Sequence, residues 1–111
     1  MKIHKELAAG RWFELSLIEQ LANVGMDIER TIQWKQKQNN EYSRQAFERA
    51  LDLIDLTVAD PKNRNRLKEI TRTREALVDY FVYDNEYGST SKSWQDYFFA
   101  FNYAAAIRRG R

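Results

Sequence analysis

Ile18, Leu21, Gly25, Ile28 and Ile32 recur at intervals of three and four residues, with Leu17 and Val24 beside them. A helix, with its turn of about 3.6 residues, brings such positions onto one side, whereas a strand scatters them over both faces. The pattern runs from about Arg11 to Lys37 and is ended by "KQKQNNE". Upstream, "HKELAA" is also helix-favouring, and Gly10 only weakens the join. A second stripe, Phe47, Ala50, Leu51, Ile54, Thr57 and Val58, predicts a helix over about 41–59. In "ADPKN" Asp60 stands as cap and Pro61 at the first helical position, where a missing N–H costs nothing, so a third helix is expected over about 61–83. "DNEYGSTSKS" reads as a turn, and a fourth helix over about 91–108 aligns Trp94, Tyr97, Phe98, Phe101, Ala104 and Ala105. Four amphipathic helices with short connections predict an all-α fold, an antiparallel up-and-down four-helix bundle, with residues 1–111 as a single domain.

Composition agrees and excludes several chemistries. One proline and four glycines in 111 residues leave few helix breakers, and 43% hydrophobic against 31% charged residues is ordinary for a folded chain. There is no cysteine, so disulfides, zinc–thiolate sites and thiol catalysis are ruled out. No run of about 18 apolar residues occurs, so no membrane partner is expected, and with no leader-like N-terminus a cytoplasmic location is. A net charge of +2 does not by itself imply a polyanionic partner.

One residue conflicts with its stripe. In "LKEITRTREALVDYF" (67–81), Leu67, Ile70, Leu77, Val78 and Phe81 share a face, and Arg74 falls in the middle of it. A guanidinium without a partner in a core costs several kcal/mol. Glu14 and Glu29, which project into the apolar arc of the first helix, are the expected partners in a buried ion-pair cluster with Arg74.

Catalysis has few candidates. The one histidine, His4, lies near the N-terminus, so Glu-x-x-His di-iron sites and nucleophilic triads are excluded, as is a phosphate loop built from four scattered glycines. No metal and no cofactor is therefore expected. A magnesium-dependent nucleotide pyrophosphohydrolase needs only carboxylates, and Glu75 and Asp79 stand one turn apart, but the paired Glu-x-x-Glu and Glu-x-x-Asp motifs of that class are missing.

Two surface readings remain. "PKNRNRLKEITRTR" holds six basic residues in fourteen, and Arg64, Lys68 and Arg72 repeat every four positions, a line that could grip RNA or DNA phosphates. It turns acidic at Glu75 and Asp79. Aromatics make up 14% of the chain, and the fourth helix is apolar on nearly every side, with Phe99, Tyr103, Ala106 and Ile107 pointing away from its stripe. Trp12 and Trp34 fall on the back of the first helix. Surplus aromatics of this kind mark partner surfaces. The sequence reading is thus a non-catalytic interaction or scaffold protein, self-associating or bound to a protein partner through Phe99, Tyr103, Ile107, Trp12 and Trp34, with nucleic-acid binding as the alternative.

Overall fold

The computed structural model describes residues 10–109. "HKELAA" and His4 lie outside the described residues. All regular structure within them is helical: α1 (Arg11–Glu14), α2 (Leu17–Gln36), α3 (Asn40–Ala59), a 3-10 segment (Pro61–Arg66), α4 (Leu67–Phe81) and α5 (Ser91–Arg109).

The first predicted helix is interrupted. Leu15 is extended, and Ser16 opens α2 with a reciprocal cap. The Ser16 hydroxyl accepts from the Glu19 N–H at 3.2 Å, and the Glu19 carboxylate accepts from the Ser16 N–H at 2.9 Å. Two otherwise orphaned donors are satisfied this way, so restarting the helix at Ser16 costs little. The backbone hydrogen bond also holds the Glu19 carboxyl below its usual range.

α2 ends in a Schellman turn. Asn39 N–H reaches Trp34 O at 2.9 Å, Gln38 N–H reaches Lys35 O at 2.9 Å, and Gln38 takes the left-handed conformation at φ 63°. Asn39 then caps α3 by accepting from Tyr42 N–H at 3.0 Å. So short a connection makes α2 and α3 neighbours, and the contacts Ser43–Thr31 and Arg49–Asp27 show them running antiparallel.

α2 is the central element, packed on one side by α3 and on the other by α5. Val24, Ile28 and Ile32 meet Phe47, Ala50, Leu53 and Ile54 from α3, Ile70 and Leu77 from α4, and Trp94 and Phe98 from α5. The α2–α5 approach requires a glycine: a Cβ on Gly25 would stand 2.7 Å from Phe98 Cβ. α4 is held more lightly and buries only Ile70 and Leu77 completely.

The third predicted helix starts with a detour. Asp60 does cap it, accepting from Lys62 N–H at 3.1 Å with Pro61 next, but six residues of tighter 3-10 coil precede α4. That coil turns Asn63 inward to a buried polar cluster. The Asn63 side-chain amide donates to Gln20 Oε1 and to Thr57 O, both at 2.9 Å. The Gln20 amide donates to Trp12 O at 3.0 Å and to Asp60 Oδ2 at 2.8 Å, and Trp12 Nε1 donates to Thr57 Oγ1 at 3.2 Å. Lys62 Nζ joins Asp60 to the Phe13 carbonyl. Burial opposes ionisation of Asp60, but the hydrogen bonds from Lys62 and Gln20 outweigh it and hold the carboxyl below its usual range. This latch ties α1 to the end of α3 with each buried group answered.

Candidate functional site

α5 has two sides, and only one is used internally. Trp94, Phe98 and Ala105 are buried against the core, with Tyr97 and Phe101 packed beside them. Burial pushes the Tyr97 hydroxyl above its usual range, although it hydrogen-bonds the Thr73 hydroxyl at 3.1 Å. The other side carries Phe99, Tyr103 and Ile107 at 64%, 59% and 43% exposure, one helical turn apart in sequence. The Phe99 and Tyr103 rings stack on each other with centroids 6.1 Å apart. Large apolar groups singly exposed are unremarkable, but a continuous line of them with stacked rings is a patch.

A groove of about 470 Å³ runs beside this line between α2 and α5, with Gly25, Met26, Trp94, Phe98 and Phe99 among its walls. Met26, 48% exposed, extends the apolar surface onto α2. It lies off the α2 stripe, and nothing in its spacing marks it. Glu29 and Gln95 bridge the groove at 3.3 Å. Charge is distributed along α5, with Lys92 and Asp96 ion-paired at 2.9 Å near its start and Arg108 and Arg109 exposed in its last turn.

Other expected site residues are placed differently. The Arg74–Glu14–Glu29 cluster does not form. Arg74 Nε donates to Asp55 Oδ1 at 2.8 Å, and its side chain is 37% exposed. Glu14 is exposed on α1, and Glu29 accepts from Gln33 at 3.0 Å as well as from Gln95. The reason is the light α3–α4 seam, at whose rim a long side chain can keep its charged head in water. There the nearest carboxylate belongs to α3, the neighbour in sequence. Trp12 is not an outward residue either. The break at Leu15–Ser16 folds α1 over the end of α3, leaving the ring 4% exposed. Trp34 is half-buried, edge-on to Tyr42 at 4.9 Å, in the cleft between α2 and α3.

Arg64, Lys68 and Arg72 are all exposed, but Arg64 belongs to the 3-10 segment and the other two to α4. The four-residue spacing therefore does not line up all three, because 3-10 coil advances about 120° per residue and α-helix about 100°. Asp79 accepts from the backbone N–H of Glu86 at 2.8 Å and of Tyr87 at 3.1 Å, so its two oxygens order the loop after α4. Among the described residues no group of three or more His, Cys, Asp or Glu could hold a metal ion, and no helix is long and apolar enough to cross a membrane.

No protein-family profile matches the chain, and neither a curated protein nor a solved structure matches it.

Proposed function

We propose that this protein is a self-associating, non-catalytic interaction module, an up-and-down antiparallel four-helix bundle whose α5 packs against α5 of a second copy. The observation that carries the reading is the exposed line Phe99, Tyr103 and Ile107 on a helix whose opposite side already fills the core. A second copy suits the charges. Antiparallel crossing near Asn102 and Tyr103 sets Phe99 of each copy against Ala106 of the other and brings Asp96 beside Arg109. Such an arrangement is isologous: one patch serves both partners, and the contact closes on itself. The groove beside Phe99 adds depth into which an opposing side chain can insert. Binding of RNA or DNA through Arg64, Lys68 and Arg72 ranks second, since these side chains are exposed but do not form one continuous line.

Sedimentation velocity tests the reading. At about 100 µM the wild type is expected to sediment as a dimer, a concentration that detects affinities far weaker than those of a standard interface. Phe99→Asp is expected to sediment as a monomer with unchanged circular dichroism, because Phe99 is 64% exposed in the single chain. A wild-type monomer at that concentration would overturn it.

A further inference from the structure

We propose a second, independent site: the cleft between α2 and α3 binds a phosphate monoester carried on a flat ring, as in a nucleoside monophosphate, through Arg30 and Arg49. Two hollows of about 290 and 200 Å³ lie along this cleft, and Asp27, Arg30 and Arg49 line both. Asp27 has a side chain only 4% exposed and is the one carboxylate among the lining residues of either hollow. Arg30 Nη1 donates to its Oδ1 at 2.6 Å. Arg49 Nε stands 4.0 Å from its Oδ2, too far for a hydrogen bond, and this buried N–H has no acceptor among the described residues. Two guanidiniums thus share one carboxylate, which leaves a positive charge at the wall between the hollows.

An enclosed donor without an acceptor is costly, and a guanidinium offers five donors in a planar fork. Arg30 uses one of its five on Asp27, and Arg49 makes no hydrogen bond among the described residues. Arg49 Nε is itself enclosed, but the Arg30 and Arg49 side chains are 50% and 40% exposed, and a phosphate dianion in the hollow is met by their outer Nη groups, in a geometry that arginine forks match. The larger hollow also selects what the phosphate is attached to. Trp34 and Tyr42 line it, Tyr42 is 49% exposed, and Gln45 offers an amide beside them. Lys37 Nζ, 5.2 Å from the Trp34 ring centroid, adds positive charge at that end. Aromatic side chains next to a basic wall are the combination that holds a base and its phosphate together.

The test uses the whole chain, titrated by calorimetry with adenosine monophosphate, with ribose 5-phosphate, and with an oligonucleotide carrying a 5′-phosphate or a 5′-hydroxyl. Saturable binding of the mononucleotide is expected, about tenfold tighter than ribose 5-phosphate if one stacked base contributes its usual share. Arg49→Gln is expected to weaken it about tenfold or more, the loss of a charge-assisted hydrogen bond, while Arg72→Gln leaves it unchanged. A phosphorylated oligonucleotide that binds more tightly than the mononucleotide, with its hydroxyl twin much weaker, assigns the site to nucleic-acid ends. The reverse order assigns it to free nucleotides. If Arg49→Gln lowers the thermal melt, Tyr42→Ala replaces it and should weaken the mononucleotide but not ribose 5-phosphate. Absence of saturation up to about 5 mM for every phosphorylated probe overturns the proposal. So does an affinity within twofold of wild type for folded Arg49→Gln, and so does equal affinity for mononucleotide and ribose 5-phosphate.

Discussion

Replacing Gly25 by alanine sets two effects of opposite sign against each other. In a helix interior the change gains about 1 kcal/mol, since alanine loses less backbone entropy. Against this, the new Cβ would lie 2.7 Å from Phe98 Cβ, 3.0 Å from its Cγ and 3.1 Å from its Cδ1. The nearest of these is the root of the side chain, which no rotamer change can move. α5 must therefore retreat by about 0.7 Å to restore ordinary contact at 3.4 Å. A gap of that size forfeits roughly a quarter to a half of the dispersion attraction between facing atoms. Overpacking of this kind costs about 1–3 kcal/mol, and a contact fixed at backbone level belongs in the upper half of that range. The clash should win by about 1–2 kcal/mol, which for a chain of this size lowers Tm by roughly 4–8 °C. Urea unfolding followed by circular dichroism, with Gln33→Ala on the exposed side of α2 as control, measures it directly. A Gly25→Ala variant as stable as wild type, or more so, would refute the close α2–α5 packing.

The buried latch makes a pH-dependent contribution. The carboxyl of Asp60 titrates lower in the folded chain than in the unfolded one, so its stabilisation is complete above the ordinary aspartate range and is lost as pH falls through the folded value. Asp60→Asn should be less stable than wild type by about 1–3 kcal/mol at pH 7, and chemical denaturation at a series of pH values should show that gap closing in acid. A gap independent of pH between 7 and the acid limit would remove the ionised carboxylate from the account. Arg74→Ala should cost less than about 1 kcal/mol, because its pair with Asp55 is exposed on both sides and screened by water. A loss of about 3 kcal/mol in the same denaturation series would mean that Arg74 carries a buried charge.

Periodicity made the helices legible, because burial in an all-helical chain repeats with the turn. Val24, Ile28 and Ile32 on α2 and Phe47, Ala50 and Ile54 on α3 are buried as their spacing implies. The patch on α5 was legible for the same reason: a helix with apolar groups at Phe98 and Phe99 cannot hide both on one side. The break before α2 was also written in the sequence, as Ser16 followed three residues later by Glu19, but the apolar pattern runs through it and conceals it. A single continuous helix over α1 and α2 projects Trp12 onto the wrong side.

Partners across elements were not legible. Arg74 sits at the centre of its stripe by angle, yet angle says nothing of how closely the facing helix approaches, and a light seam lets a long side chain escape. Its partner Asp55 is an ordinary exposed acid of α3 until the register of α3 on α4 is known. Gln20 and Asn63 are buried at 0% and 2% exposure, against their residue type, because each answers the other and both answer Asp60 or Thr57. Such a cluster has no periodic signature. The opposition of Arg30 and Arg49 across Asp27 likewise depends on the α2–α3 register and appears only when the hairpin is closed.

The lack of cysteine in the chain allows the α5 contact to be tested by position. Asn102→Cys places a single thiol on the exposed side of α5, next to the proposed crossing point, and Glu75→Cys places one on α4, away from it. Under mild oxidation the first is expected to form a disulfide-linked dimer rapidly and nearly completely, and the second is not. Equal, slow crosslinking of both variants would contradict the contact on which the proposed function rests.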